Sequence, residues 1–189
     1  PELLKAAITP TTKVLLLNTP SNPTGSVYSK EELLALGEVL KGTDIIVLSD
    51  EMYEKIMYNG KKFTAAAQVS EDMFNRTVTI NGLSKAVAMT GWRFGYIATP
   101  DAKLAKTLTK LQGQVTSNIN TMTQYAAIPA LEGDADETIE MMRVEFEKRK
   151  NIAVKSFNEI KGLSTIDPDG AFYLFINIQE VTNDSMKFC

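Results

Sequence analysis

The chain has 189 residues with a net charge of −3, a single cysteine at Cys189 and no histidine. A disulfide framework is therefore excluded, and metal chemistry through imidazole or thiolate clusters has no ligands to draw on. The charges are mixed along the chain with no basic stripe for nucleic acid, no apolar run reaches the length of a membrane helix, and no signal-peptide pattern opens the sequence.

In chain order, the apolar run Val14-Leu15-Leu16-Leu17 has the length and branching of a buried parallel strand, and Thr19-Pro20-Ser21-Asn22-Pro23-Thr24-Gly25 follows it. Ser29 with Glu32 forms a capping box, which predicts a helix to about Leu40, closed near Gly42. A second strand-like run, Ile45 to Leu48, leads into Asp50-Glu51-Met52-Tyr53, and a third, Thr77 to Ile80, leads into the segment that holds Lys85. Phe94 to Ala98 reads as another strand, Ala102 to Leu111 as a helix introduced by Pro100-Asp101, and Met122 to Leu131 as a helix ending at Gly133. From Glu137 to Ile160 the apolar residues Ile139, Met142, Phe146, Ala153, Phe157 and Ile160 recur at helical spacing. Gly170 to Ile176 reads as a final strand. Strand and helix alternate, the pattern of an α/β domain.

Ligands of open α/β sheets bind outside the carboxyl ends of the strands, so three polar segments are expected to converge at one edge. The most informative is Asn81-Gly82-Leu83-Ser84-Lys85-Ala86-Val87-Ala88-Met89-Thr90-Gly91-Trp92-Arg93, which places one lysine among small and apolar residues with a cation eight positions on. A lysine amine attacks a carbonyl only when neutral. Its ordinary pKa is about 10.4, so poising it near 7 takes roughly 4 kcal/mol of desolvation or nearby positive charge. Lys85 and Arg93 together are a candidate for that arrangement.

Taken together, the Asn-Pro-Thr-Gly loop, the Asp-x-x-Tyr turn and the Ser-Lys-x-x-x-Met-Thr-Gly-Trp-Arg stretch resemble the pyridoxal-phosphate-dependent aminotransferases of fold type I, class I/II, aspartate aminotransferase-like group, from about Val14 to Phe175. The resemblance implies a three-layer α/β/α large domain, present in part over residues 1–133. Residues 134–189 would be a linking long helix and the first strand of a small α+β C-terminal domain. It implies an amino-group transfer between an amino acid, of aspartate or glutamate type, and a 2-oxo acid, in a cytoplasmic homodimer.

Residue by residue, Lys85 matches the lysine that forms a Schiff base with pyridoxal 5'-phosphate and shuttles the substrate α-proton. Asp50 matches the carboxylate paired with the pyridinium nitrogen, which keeps the ring an electron sink. Tyr53 and Asn22 match donors to the cofactor's phenolic oxygen, and Arg93 the guanidinium that clamps the phosphate and helps keep Lys85 neutral. Ser117-Asn118 fall where a loop reaches the neighbouring subunit's site. Gly82 stands where many relatives carry a phosphate-binding serine. Family members are about twice as long, and the Gly-rich phosphate loop, the ring-stacking aromatic and the substrate arginine find no counterpart here, so we read the chain as an internal fragment that associates through its uncovered surfaces and binds the cofactor weakly.

Each residue also has a plainer role open to it. Asn22 and Pro23 suit any turn, Asp50 suits the cap of the following turn, Tyr53 a half-buried aromatic and Arg93 a surface ion pair. Jointly these roles predict no such ordering. Two other functions share the pattern: a cofactor-sensing domain of a transcription regulator, and another fold type I enzyme such as a carbon–sulfur lyase or synthase, because reaction choice depends on which bond is held perpendicular to the ring.

Overall fold

A computed structural model describes residues 1–189. In chain order the elements are α1 (Glu2–Ala7), β1 (Val14–Asn18), α2 (Lys30–Leu40), β2 (Ile46–Asp50), α3 (Glu71–Arg76), β3 (Thr77–Gly82), β4 (Gly95–Ala98), α4 (Ala102–Val115), α5 (Thr121–Glu132), α6 (Asp136–Asn158) and α7 (Ser185–Phe188). The sheet runs β1-β2-β3-β4, with the first three strands parallel and β4 antiparallel to β3. Asn18 is paired in register with Asp50, and Asp50 with Ile80. β1 and β2 therefore end level with each other, and β3 runs two residues further, to Gly82.

α2 begins as its sequence requires. The Ser29 side chain accepts a hydrogen bond from the Glu32 backbone N–H, and the Glu32 carboxylate accepts one from the Ser29 N–H at 2.8 Å. Its inward stripe of Leu33, Leu36 and Leu40 packs on Leu17, Ile45 and Val47 of the sheet region and on Ala66, Val69 and Met73. Burying such a set contributes on the order of 1.5–3 kcal/mol per large side chain.

The opposite sheet face is less covered than the continuous apolar runs suggest. Leu16 is 67 % exposed and Val14 47 %, because no element of these residues packs over them. A second departure concerns residues 170–176. They form no strand, only isolated bridges of Gly170 with Met57 and of Asn177 with Ser164. An extended segment becomes a strand only where a neighbour offers a continuous ladder, and here none does.

The 167–171 segment is nonetheless held firmly. Gly25, at φ +71°, accepts hydrogen bonds on its carbonyl from the Asp169 N–H at 2.9 Å and the Gly170 N–H at 3.0 Å, and an added Cβ would meet the Pro168 Cβ at 2.3 Å. Along α6, buried Lys150 ion-pairs with Asp167 at 2.6 Å and bonds the Asn59 side chain at 3.1 Å. Arg143 donates to the Met57 carbonyl at 3.1 Å, and the Asn59 N–H donates to Glu147 at 2.8 Å. The long helix thus clamps both the 57–59 turn and the 167–171 segment onto the sheet's ligand edge.

Gly82, at the end of β3, packs against the antiparallel neighbour so closely that an added Cβ would lie 2.7 Å from the Phe94 carbonyl oxygen and 3.1 Å from the Gly95 Cα. Both atoms are backbone and cannot swing aside. Gly82→Ser should therefore destabilise the protein by about 1–3 kcal/mol, read as a lower unfolding midpoint in thermal or urea titration; an unchanged midpoint would mean that β3 and β4 separate freely here.

Candidate functional site

The site is built at these strand ends. Asn18 closes β1, and its side-chain oxygen accepts the Asn22 backbone N–H at 2.7 Å, which fixes the loop that carries Asn22. The Thr19-Pro20 and Asn22-Pro23 peptide bonds are both cis. Asp50 closes β2, and its Oδ1 accepts the Met52 N–H at 3.3 Å. The capping role open to Asp50 is thus real but engages one carboxylate oxygen, leaving the other without a protein hydrogen bond. The turn that follows delivers Tyr53, only 4 % exposed, back toward the Asn22 loop.

Lys85 sits in the turn directly after β3. Buried Leu83 and Ala86 anchor that turn, and backbone bonds from Ala88 N–H to the Lys85 carbonyl at 3.2 Å and from Met89 N–H to the Leu83 carbonyl at 3.1 Å close it. The Lys85 Nζ lies 6.0 Å from the Tyr53 ring centroid and 5.7 Å from that of Phe172, within cation–π range, and forms no ion pair. Tyr53 in turn meets Tyr173, hydroxyl to hydroxyl at 2.6 Å. Burial first, then the neighbouring Tyr173 and the nearby charge of Asp50, push the Tyr53 phenol well above its usual range, while the nearby Asn22 side chain pulls the other way. Asn22, Asp50, Tyr53 and Lys85 therefore form one cluster.

Arg93 stands apart from it. The residue adopts a left-handed backbone at φ 54°, is exposed, and gives one guanidinium N–H to the Thr90 carbonyl at 2.9 Å, with no carboxylate partner. It lines an open cavity of about 860 Å³ together with Trp92, Ser117 and Asn118. Ala88 and Ser117, on the same cavity wall, also have positive φ, at 55° and 61°. Non-glycine residues in this region cost of order 1–3 kcal/mol when sterically strained and concentrate at functional sites.

Four contributors lie outside the sequence-based selection. Asn18 was readable as a polar residue ending an apolar strand. Phe172 and Tyr173 were not, because their partner Tyr53 is more than a hundred positions away and no local pattern marks the pairing. The fourth, Glu51, is 2 % exposed and accepts bonds from the Ser49 hydroxyl at 2.8 Å and the Ala66 N–H at 3.1 Å.

The donor set suits a ring bearing a phosphate and an aldehyde. A carboxylate with a free oxygen answers a protonated ring nitrogen, Asn22 and Tyr53 offer donors to a phenolic oxygen, an unpaired amine answers the aldehyde, and an unpaired guanidinium beside an open cavity answers the phosphate.

Comparison with known proteins agrees. The family model described as "Aminotransferase class I and II" matches residues 1–189. Over 180 residues the chain is 48 % identical to an aspartate aminotransferase of Geobacillus stearothermophilus, covering 95 % of this chain and 45 % of that protein. It is 45 % identical over 179 residues to an asparagine–oxo-acid transaminase of Streptococcus mutans, covering 95 % of this chain and 45 % of that protein. Among solved structures it superposes on an aspartate aminotransferase of Rhizobium meliloti with a TM-score of 0.90 at 42 % identity, covering 95 % of this chain and 45 % of that one. The chain spans about half the length of the relatives it matches.

Beside the cluster, burial raises the Glu51 carboxyl above its ordinary pKa, opposed by its bonds from Ser49 and Ala66. A carboxyl raised in the folded state stabilises fully below its unfolded pKa, and that contribution is lost as pH rises through the folded value. Glu51→Gln keeps acceptors for Ser49 and Ala66 without the charge. Its stability relative to the unsubstituted protein should therefore improve steadily from about pH 4.5 upward, measured by urea unfolding at several pH values; a difference that is flat with pH would refute the buried-charge account.

Proposed function

The chain belongs to the class I and II aminotransferases, and from that premise we propose that its parent enzyme moves an amino group between an amino acid and a 2-oxo acid with pyridoxal 5'-phosphate, working as a homodimer in the cytoplasm. The aspartate and asparagine specificities named for the relatives favour a donor of the aspartate or glutamate type. The convergence of Asn22, Asp50, Tyr53 and Lys85 at the carboxyl ends of three parallel strands carries the reading. On this reading residues 1–133 contribute to the cofactor domain, and residues 134–189 lead by α6 into a second, smaller domain.

The bound cofactor would supply an electron sink for the pair left when the substrate α-proton is removed. The chain's own residues do the rest. Asp50, fixed at the end of β2, holds a negative charge where the ring nitrogen must keep its proton. Asn22 and Tyr53 orient the ring by donating to its phenolic oxygen. Arg93, with Ser117 and Asn118 on the same cavity wall, holds the phosphate by charge and paired N–H groups. Lys85 is the covalent anchor and then the base that carries the α-proton. The surrounding apolar faces of Tyr53 and Phe172 shed water from its amine, which favours the neutral form that both tasks need.

Borohydride reduction of the cofactor-loaded protein followed by peptide mapping should label Lys85, and Lys85→Ala should lose turnover by roughly 10²–10⁴-fold or more while keeping its fold. A label on another lysine would sink the assignment. Asp50→Asn separates the carboxylate's two tasks, since asparagine still caps the Met52 N–H. Turnover should collapse while the unfolding temperature moves by only a few degrees. The reverse, with stability lost and activity kept, would leave Asp50 as a cap alone.

A further inference from the structure

Tyr173 reaches the cluster from a segment that carries none of the family motifs. Its hydroxyl lies 2.6 Å from that of Tyr53, with the rings edge-on at a centroid distance of 5.6 Å. A phenol oxygen can accept two hydrogen bonds and give one. Tyr173 occupies one position on the Tyr53 oxygen. When Tyr173 is the donor, the Tyr53 hydrogen is left for another partner. Hydrogen bonds linked in this way polarise one another, so the last donor in the chain gives its proton more strongly.

The Tyr173 ring is not free to drift. The Ala171 N–H donates to the Ile56 carbonyl at 3.0 Å, and Ala171 itself is fully buried. Phe172 stacks on Phe146 of α6 at 5.3 Å and meets the Tyr53 ring edge-on at the same distance. A tyrosine kept only for packing would satisfy its hydroxyl on any nearby carbonyl, as Tyr58 does on the Ala171 carbonyl. Tyr173 spends its hydroxyl on another phenol at the ligand edge.

Resting on the function proposed above, we propose that Tyr173 is a positioning residue that acts through Tyr53, donating to its oxygen so that the Tyr53 hydroxyl is turned to donate to the phenolic oxygen of the cofactor. The titratable or charged groups facing Tyr53 are Tyr173, Asp50 and Lys85. Their separate effects can be read by substitution.

The test uses protein labelled with ¹³Cζ-tyrosine, cofactor-free, titrated with pH by NMR, as Tyr173→Phe, Tyr53→Phe, the double variant and the unsubstituted chain. Pyridoxal 5'-phosphate is then titrated into each by visible absorbance. Tyr173→Phe retains the ring and should keep the unfolding temperature. Without the Tyr173 hydroxyl on its oxygen, the Tyr53 resonance and its titration should move. Cofactor affinity should fall roughly 2- to 12-fold, the range of one hydrogen bond, and Tyr173→Phe should add nothing in the Tyr53→Phe background. An unmoved Tyr53 titration, or the same affinity loss in the Tyr53→Phe background, overturns the proposal. Uptake of no pyridoxal phosphate by the unsubstituted protein overturns the cofactor reading and the proposal together, and the NMR titration shows separately whether the tyrosine pair exists.

Discussion

Parallel pairing of β1, β2 and β3 is the constraint on which the site rests. Buried backbone N–H and C=O groups must be paired, and the register that pairs them sets Asn18 beside Asp50 and Asp50 beside Ile80. Three unrelated loops consequently leave the sheet at the same end, within two residues of one another. No side chain has to recognise another over a distance to bring them together. Once the sheet forms, the position of each polar group depends only on its distance from its strand end: four residues for Asn22, none for Asp50 and three for Lys85. Short reaches of this kind leave little conformational freedom, which is the condition for a preorganised site.

The second constraint is the clamp from the other end of the chain. Gly25 can accept two N–H groups of the 167–171 segment only because it lacks a side chain. Lys150 reinforces the contact from α6, where its buried ammonium is compensated by Asp167 and Asn59 and lies 5.6 Å from the face of Tyr58. Removing one partner of such a pair leaves a charge in a poorly solvated place, so the clamp tends to persist as a unit. Its functional effect is to press Phe172 and Tyr173 onto Tyr53. A segment with no regular secondary structure becomes one wall of the site.

These two constraints explain what the sequence disclosed. Strand ends and the turns after them are local, so apolar runs followed by Asn-Pro-Thr-Gly, Asp-Glu-Met-Tyr and Ser-Lys were legible from residue order alone. The capping box of α2 and the αL glycine after α5 were legible for the same reason. Coverage was not. Leu15 faces the α2 layer and Leu16 the open side, yet a run of three leucines carries no sign of which will be buried. The same limit applies to residues 170–176, where alternation suggests a strand but pairing depends on a neighbour. Tyr173 belongs to this class as well, since its role is decided by Gly25, Pro168 and Lys150 rather than by its own surroundings in sequence.

The electrostatic layout carries the argument one step further. Most of the chain's cations near carboxylates are paired: Arg143 with Glu140 and Glu147, Arg76 with Asp72, and Lys150 with Asp167. Lys85 and Arg93 have no such partner, and each lies beside a surface that accepts a cation only weakly, aromatic faces in one case and neutral amides and hydroxyls in the other. A fold that neutralises its structural cations and leaves two uncompensated at one sheet edge gives up a few tenths to one kcal/mol at each. An unpaired cation alone marks nothing, since Lys5, Lys13 and Lys30 are unpaired as well. What sets Lys85 apart is its place against the rings of Tyr53 and Phe172, where water is shed from the amine.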